Sequence, residues 1–260
     1  MSPRFFFATL SQPCPYLPGR SERKIVTEIA GRDAPTLYDR LVRGGYRRSH
    51  GVAYRPACLG CDACVPVRIP VADFRPGRSM RRVLKVNADL EVEERPATVT
   101  GEQYALFRRY VRARHADGGM TFMDFSDYRA MVEETPVHTT VFEFRDGQDR
   151  LIAVALTDLI ADGLSASYMF FDPDASRRSP GTFVVLWHVD EARARGLSFV
   201  YLGYWIAGCQ KMAYKARFQP LEALGPEGWR RLNEPASAGP ARAPSSGCAA
   251  GRTVQCLGTP

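Results

Sequence analysis

The sequence predicts an α+β protein in which helices flank a mixed sheet. Between residues 138 and 171, three runs of strand-forming residues are separated by Asp146-Gly147 and Asp162-Gly163, which is typical of an antiparallel meander. Helical patterns precede this meander, and a helix, a strand and a further helix follow it. Strands and helices therefore occupy separate layers, as the α+β class requires.

A small, irregular N-terminal domain is predicted for residues 1–75. It contains a helix over residues 34–43, which ends at two glycines, and a strand over residues 65–71. Four of the seven cysteines lie in this segment. The residues that exclude regular structure near its start are Pro13, Pro15, Pro18 and Gly19.

A larger domain is predicted for residues 76–233, followed by a tail at 234–260. Thr100 begins the first long helix of this domain, and Gly196 ends a later one. The tail consists mainly of Ala, Gly, Pro and Ser without apolar periodicity, which predicts disorder. Further predicted elements are helices at 127–134, 180–195 and 209–218, and strands at 138–145, 151–160, 164–171 and 198–202.

The composition favours a polyanionic partner. The net charge is +7, and hydrophobic residues make up 45% of the 260 residues. Such a balance favours nucleic acid first and an anionic membrane second, although an Arg-rich proteome would also produce it. No apolar run approaches the roughly 18 residues of a spanning helix, and the run from Phe5 to Leu10 is too short for a signal peptide. We therefore expect a cytoplasmic protein with reduced thiols and no membrane partner.

The spacing of the cysteines indicates a candidate metal site. Cys58, Cys61 and Cys64 form a C-x-x-C-x-x-C pattern, and Cys14 lies apart from them near the N-terminus. An odd number of cysteines argues against a framework of disulfides. Four thiolates would be enough for a tetrahedral zinc ion or an iron–sulfur cluster. The alternative is that three cysteines simply pack on a tight turn.

Basic residues are concentrated between positions 75 and 85. They either follow a phosphate backbone or form the solvated face of a helix, and the overall charge favours the first interpretation. The residues are Arg75, Arg78, Arg81, Arg82 and Lys85.

The stretch from Ser198 to Pro220 is the candidate site of the chemistry. A short buried strand ends at Gly203, and the helix predicted over 209–218 would carry two cations and two rings on one face. A strand that opens into glycine and then into a cationic, aromatic helix suits a phosphate and a stacked base. The alternative is that the rings are ordinary core. The residues on the shared face are Lys211, Tyr214, Lys215 and Phe218.

The order of meander, Arg-x-x-Gly loop, helix and strand resembles the acetyltransferase-type (GNAT) fold. That fold usually carries a Gln/Arg-x-x-Gly-x-Gly/Ala loop for a pyrophosphate. Arg178 and Gly181 match this loop, but Phe183 occupies its last position. The resemblance implies a GNAT-like mixed sheet flanked by helices, while Phe183 argues against coenzyme A as the ligand.

A series of short segments carries a second and more specific resemblance, spread over roughly residues 5–232. They are Cys14-Pro-Tyr-Leu-Pro18, Gly45-Tyr-Arg-Arg-Ser49, Tyr54-Arg-Pro-Ala-Cys58, Cys64-Val-Pro-Val-Arg68, Arg78-Ser-Met-Arg-Arg82, Arg114-His115, Gly118-Gly-Met120, Phe170-Phe-Asp-Pro-Asp174, Tyr201-Leu-Gly-Tyr-Trp-Ile206 and Lys211-Met-Ala-Tyr-Lys215. In these segments the chain resembles the bacterial aspartate/glutamate leucyltransferases, relatives of the eukaryotic arginyl-tRNA–protein transferases.

The resemblance implies transfer of leucine from leucyl-tRNA to the N-terminal amine of a protein that begins with Asp or Glu. The product would carry an N-terminal Leu, a degradation signal in the N-degron pathway. Leucyl-tRNA and such proteins are then the expected partners. No cofactor is required for the transfer, because the tRNA ester is already activated and the enzyme must mainly position the reactants.

Candidate roles follow for individual residues. Asp172, Tyr201 and Tyr204 are the catalytic candidates, with Asp172 at a strand end to orient the amine. Arg78 and Arg81 are candidates for recognition of the acidic N-terminal residue or the tRNA backbone. The candidates for binding tRNA or the aminoacyl-adenosine are Lys211, Tyr214, Lys215, Arg217, Arg178 and Gly181. The candidate metal ligands are Cys14, Cys58, Cys61 and Cys64.

Three other functions remain open at this stage. The donated residue could be arginine, since the sequence distinguishes the two donors only through the family resemblance. An acetyl-CoA-dependent N-acetyltransferase would share the GNAT fold, and tight binding of acetyl-CoA would favour it. A non-catalytic iron–sulfur protein that binds RNA would need only the cysteines and the basic runs.

Overall fold

An eight-stranded mixed sheet forms the centre of the protein. The computed structural model describes residues 4–116 and 118–232, so the tail predicted at 234–260 lies outside the described residues. The strands in chain order are β1 Phe7–Ala8, β2 Gln12–Pro13, β3 Ser21–Glu22, β4 Lys24–Glu28, β5 Arg47–Ser49, β6 Val52–Pro56, β7 Val65–Pro70, β8 Glu91–Pro96, β9 Thr139–Arg145, β10 Leu151–Ile160, β11 Gly163–Phe171, β12 Phe199–Trp205, β13 Glu222–Gly225 and β14 Gly228–Arg231. Across the central sheet their order is β14-β13-β7-β12-β11-β10-β9-β8.

Local sequence signals set the ends of the helices. The Thr100 side chain accepts from the amide of Gln103 in a capping box, and Pro180 begins a later helix. The α-helices in the described part of the chain are α1 Ala34–Arg43, α2 Arg78–Val86, α3 Gly101–Arg114, α4 Phe125–Glu133, α5 Pro180–Ala194 and α6 Gln210–Ala213. Short 3₁₀ segments are Gly119–Phe122, Pro173–Arg178 and Tyr214–Arg217.

The predicted meander is confirmed. Strands β9, β10 and β11 are antiparallel neighbours, and β12 returns beside β11 in parallel. The long crossover through α5 makes this parallel pairing possible. The predicted α+β class, with a mixed sheet flanked by helices, is therefore confirmed.

The two faces of the sheet are covered by different helices. Along β10, Val154 and Leu156 pack with α3 and α4, whereas Ala153 and Ala155 pack with the N-terminal part of α5. This alternation follows from the two-residue period of a strand. On the face of α3 and α4, helix α1 packs near the far end of β10 at Ile160.

Two predicted elements were wrong in their bounds. Strand β12 does not end at Gly203 but continues to Trp205, because Gly203 adopts a φ of +70° at a bulge against β7. The helix predicted over 209–218 is instead the short α6 followed by a 3₁₀ turn from Tyr214 to Arg217. The face shared by Lys211, Tyr214, Lys215 and Phe218 is therefore not that of one regular helix.

The N-terminal segment contributes to the central sheet as well as to a sheet of its own. Strand β7 lies between β12 and β13, although it precedes residue 75 in the chain. Strands β1, β4, β6 and β5 form a separate four-stranded sheet. A Cys-containing N-terminal domain and the boundary at residue 75 stay predictions. What the structure shows is that residues before this boundary complete the central sheet.

None of the helices in residues 4–116 and 118–232 combines the length and the apolar character that crossing a bilayer would require.

Candidate active site

The parallel strands β11 and β12 separate soon after they meet. They pair only from Gly163 opposite Phe199 to Ser165 opposite Tyr201. Beyond these pairs, Ala166–Phe171 of β11 and Leu202–Trp205 of β12 diverge, and we call the space between them the strand split. Backbone carbonyls along a split of this kind need partners other than the neighbouring strand.

Arg47 supplies those partners on the β11 side. Its Nη2 donates to the carbonyl oxygens of Ala166 at 3.2 Å and Ser167 at 2.7 Å. On the β12 side the guanidinium lies against Gly203, where an added Cβ would be 2.1 Å from Nη1. Only a glycine leaves room for the arginine at this position. The side chain of Arg47 is partly buried.

Lys215 supplies the partner on the β12 side. Its Nζ donates to the carbonyl oxygen of Tyr204 at 2.6 Å, and the side chain is buried. Loss of solvation, followed by the nearby charge of Arg47, lowers the pKa of Lys215 well below its usual value. Among the ion pairs of the described residues, no carboxylate lies within pairing distance of Arg47 or Lys215. The strand split thus holds two basic side chains without an anion.

The mouth of the strand split is also cationic and aromatic. Burial raises the pKa of Tyr214 to about 12, and Tyr110 of α3 lies close enough to contribute. Burial, then the charges of Lys211 and Arg114, lower the pKa of His115. The C-terminal end of α3 and helix α6 are thus close enough for their charges to interact, and we call this region the mouth of the strand split.

Arg48, the next residue of β5, has the opposite environment. Its Nη2 and Nε donate to the two carboxylate oxygens of Asp158 at 2.7 and 3.1 Å, and both side chains are almost fully buried. Three hydroxyl groups complete the coordination of this carboxylate. They belong to Tyr38, Thr139 and Ser167.

Comparison with known proteins identifies the family. Models named "Arginine-tRNA-protein transferase, N terminus" and "C terminus" match residues 12–82 and 102–225. An aspartate/glutamate leucyltransferase of Paramagnetospirillum magneticum is 56% identical over 230 residues, covering 88% of this chain and 94% of the relative. One of Granulibacter bethesdensis is 53% identical over 232 residues, covering 89% and 87%.

The chain belongs to the aspartate/glutamate leucyltransferase family. The family resemblance predicted from the sequence is confirmed. A solved structure, the C-terminal domain of a putative lysylphosphatidylglycerol synthetase from Agrobacterium fabrum, is 15% identical. The aligned region covers 73% of this chain and 63% of that domain's chain, with a TM-score of 0.46.

The residues predicted to bind aminoacyl-tRNA fall into two groups according to their place in the structure. Lys215 and Tyr214 line the strand split, with Lys211 exposed at its mouth and Arg217 exposed on the following turn. Arg178 instead forms a two-pronged ion pair with Asp89, at 2.7 to 2.9 Å. Gly181, at the start of α5, lies against Phe171, where an added Cβ would be 2.9 Å from the ring. Phosphate binding by this second group stays a prediction.

The predicted catalytic residues are engaged with protein groups. The Asp172 carboxylate accepts from Arg109 at 2.5 Å and from the amide of Asp174 at 3.0 Å. The Tyr204 hydroxyl donates to the carbonyls of Gly45 and Tyr54. Tyr201 donates to Asp162 and accepts from Arg68, and burial raises its pKa to about 12. We infer that the hydroxyl of Tyr204 holds backbone segments and that of Tyr201 holds neighbouring side chains in the native fold. The catalytic roles of both tyrosines stay predictions.

Arg78 and Arg81 lie on α2, which packs against α5. Both are exposed, and Arg81 donates to the carbonyl of Pro76. The basic run is thus largely the solvated face of a helix, with Met80 buried beneath it. Recognition of an acidic residue by these two arginines stays a prediction.

The four candidate metal ligands lie near one another. Burial and the neighbouring thiols of Cys14, Cys58 and Cys61 raise the pKa of Cys64 to about 12. All four cysteines are free and partly exposed. Their thiols suit zinc or an iron–sulfur cluster in chemistry. In the described part of the chain, however, no three Cys, His, Asp or Glu side chains are arranged to hold a metal ion.

Arg47, Arg48 and Asp158 were missed as functional residues by sequence reasoning. Signals for them exist: two consecutive arginines stand in a short strand, and a single acid interrupts the apolar run from Leu151 to Ile160. A lone charge in a buried strand needs a partner, so Asp158 predicts a buried cation elsewhere.

Proposed function

We propose that the protein transfers leucine from leucyl-tRNA to the N-terminal amine of proteins that begin with Asp or Glu. Its product would then carry an N-terminal Leu and serve as a degradation signal. Family membership supports the proposal. The observation that carries it is the strand split, where two basic side chains stand without an anionic partner and where both substrates bring negative charge.

The proposed reaction is aminolysis of an activated ester. The neutral α-amine attacks the carbonyl carbon of the leucyl ester, a C–N bond forms, and a tetrahedral oxyanion results. Its collapse breaks the bond to the ribose oxygen, which takes up a proton as tRNA leaves. No nucleophilic side chain is needed, since proximity and stabilisation of the oxyanion provide the rate.

Residues of the strand split suit these requirements. Lys211 at the mouth and Arg114 of α3 offer exposed cations to the phosphates of the tRNA acceptor end. Tyr214 and Lys215 lie further in and are assigned to the aminoacyl-adenosine. Because its pKa is lowered, Lys215 is a group that can exist as a neutral amine and accept the proton released by the attacking α-amine.

We further propose that the domain is of the GNAT type. A parallel pair that splits after three residue pairs, and a helix that follows an Arg-x-x-Gly loop, support this assignment. Coenzyme A is disfavoured at this loop. Phe183 is buried against Phe144, and the Arg178 guanidinium is already paired with Asp89. A cytoplasmic location and a metal at the cysteines stay predictions.

One experiment tests the function. The purified protein is incubated with radiolabelled leucyl-, arginyl- and phenylalanyl-tRNA, or with acetyl-CoA, and with peptides that differ only in their first residue. We expect transfer from leucyl-tRNA to peptides that begin with Asp or Glu. Preferred transfer from arginyl-tRNA would change the donor, and acetylation without aminoacyl transfer would overturn the proposal.

A further inference from the structure

Arg47 has hydrogen-bond donors left over inside the strand split. A guanidinium carries five N–H donors in a planar fork. In the described residues, the hydrogen bonds of Arg47 to the carbonyls of Ala166 and Ser167 both come from Nη2. Nη1, which lies against Gly203, and Nε make no hydrogen bond in that part of the chain.

The positive charge of Arg47 is not neutralised by the protein either. Removing a charge from water is unfavourable unless an opposite charge or several hydrogen bonds replace the lost solvation. Lys215, the basic side chain beside it, brings no negative charge. Tyr16 and Tyr204 lie beside the guanidinium, and burial raises the pKa of both, so their hydroxyl groups carry no negative charge at neutral pH. An anionic ligand would supply what the fold does not.

The geometry favours a carboxylate over a phosphate as this ligand. The cavity beside Arg47 has a volume of about 10 Å³, room for about one water molecule, and is lined by Gly45, Pro66, Ser165, Tyr201 and Gly203. A phosphodiester must continue in two directions and does not fit there, whereas a carboxylate ends a side chain and needs to bring only one oxygen to the guanidinium. The unused N–H groups of Arg47 can donate a charge-assisted hydrogen bond to a carboxylate oxygen. The more exposed cations Lys211 and Arg114 are better placed for tRNA phosphates.

We propose that Arg47 binds the side-chain carboxylate of the acceptor's first residue and so determines specificity for Asp and Glu. This inference rests on the proposed function. It moves acceptor recognition from Arg78 and Arg81, which are exposed on α2, to the place where strands β11 and β12 separate. The acceptor amine would then lie within the strand split, near Lys215.

Two variants and a matched control test the proposal. Arg47→Lys keeps the charge and a donor for the backbone carbonyls but loses the fork, while Arg47→Gln loses the charge. Arg129→Gln removes one positive charge from the exposed side of α4, where Arg129 has no hydrogen bond in the described residues. For each protein, kcat and KM are measured with leucyl-tRNA and with peptides beginning with Asp or Asn. Thermal melting confirms that each variant is folded.

For the wild type we expect kcat/KM to be roughly ten- to a hundredfold higher with the Asp peptide than with the Asn peptide, because the Asn peptide lacks the charged hydrogen bond to Arg47. Arg47→Gln should lower kcat/KM for the Asp peptide by a similar factor and leave the Asn peptide nearly unchanged. Arg47→Lys should fall between them, and Arg129→Gln should match the wild type. An Asp preference that survives in a folded Arg47→Gln protein would overturn the proposal.

Binding of leucyl-tRNA, measured separately by filter binding, distinguishes the two sources of negative charge. If Arg47 binds the acceptor, the tRNA dissociation constant of Arg47→Gln stays within about twofold of the wild type. A large loss of tRNA affinity with equal effects on both peptides would assign Arg47 to the tRNA and refute the inference. If the wild type shows no transfer at all, the proposed function fails instead.

Discussion

Arg47 and Arg48 are neighbours in one short strand, yet their environments are opposite. Arg48 donates two hydrogen bonds to the buried carboxylate of Asp158. That carboxylate also accepts hydrogen bonds from three hydroxyl groups. Arg47 meets two backbone carbonyls and no carboxylate in the described residues. The chain therefore neutralises the buried Arg48 with a carboxylate and leaves the partly buried Arg47 without one.

The contrast separates a structural charge from one kept for a ligand. Alternate residues of a strand point to different sides, so one residue reaches β10 and the next reaches the strand split. The pair with Asp158 fixes β5 against the sheet, and this anchor holds Arg47 in place. The following four predictions test the contrast, from the largest expected effect to the smallest.

Arg48→Met should cause the largest loss of stability. The variant leaves the buried Asp158 carboxylate without its cation, and breaking such a pair costs about 3–5 kcal/mol. The free energy of unfolding is measured by urea denaturation. The double variant Arg48→Met with Asp158→Leu is the control, and it should recover part of the loss. A single variant as stable as the wild type would mean that the pair contributes nothing.

Gly203→Ala should reduce transfer to Asp-starting peptides without removing any charge. Its Cβ would lie 2.1 Å from Nη1 of Arg47, so the guanidinium must move. A φ of +70° adds a strain of roughly 1–2 kcal/mol for a residue with a side chain. We expect at least a roughly tenfold lower kcat/KM for Asp peptides. Gly77→Ala, in open space at the start of α2, is the matched control. Unchanged kinetics would show that the exact position of Arg47 is unimportant.

Lys215→Met should change how stability depends on pH. The lowered pKa of Lys215 means that the unfolded chain binds more protons than the folded one between the folded pKa and about 10.4. The contribution of this group to the free energy of unfolding therefore rises as pH increases through that window. Below the folded pKa, the cost of burying the charged amine is largest. The wild type should gain stability relative to Lys215→Met on going from pH 7 to pH 10. Parallel curves would contradict a lowered pKa.

Lys211→Ala should have the smallest effect, confined to tRNA binding. An exposed lysine that contacts one phosphate makes a salt-dependent contribution to tRNA affinity. In the variant, the slope of log affinity against log salt concentration should therefore become less steep by about 0.7–0.9. Transfer to Asp and Asn peptides should fall by the same factor, because acceptor recognition is elsewhere. A changed Asp to Asn ratio would place Lys211 at the acceptor rather than at the tRNA.

Much of the fold could be predicted because its signals are local. The bounds of β10 follow from an apolar run between two turn signals, and those of α1 from its apolar side and final glycines. The end of β12 could not be predicted, because the φ of Gly203 is set by Arg47 lying against it, which is a tertiary contact. For the same reason the helix expected around Lys215 is shorter, since burial of Nζ against Tyr204 determines the turn.

The site was only partly predictable for a related reason. Tyr214 and Lys215 were found from their spacing, but Arg47 lies more than a hundred residues away in the chain, and only the fold brings it beside them. Charge density instead favoured the run from Arg75 to Lys85, most of which the structure places on the solvated face of α2. Density of charge does not reveal whether a charge is neutralised, and that property distinguishes Arg47.

The central claim is that the charge of Arg47 is left for the acceptor's carboxylate. A double-mutant cycle tests it most directly, with wild-type and Arg47→Gln proteins on one axis and Asp- and Asn-starting peptides on the other. The four values of kcat/KM, measured with saturating leucyl-tRNA, give the coupling energy between the two groups. We predict a coupling of about 1.5–3 kcal/mol, as for a charged hydrogen bond. A coupling near zero, in proteins that fold and bind tRNA normally, would contradict the account.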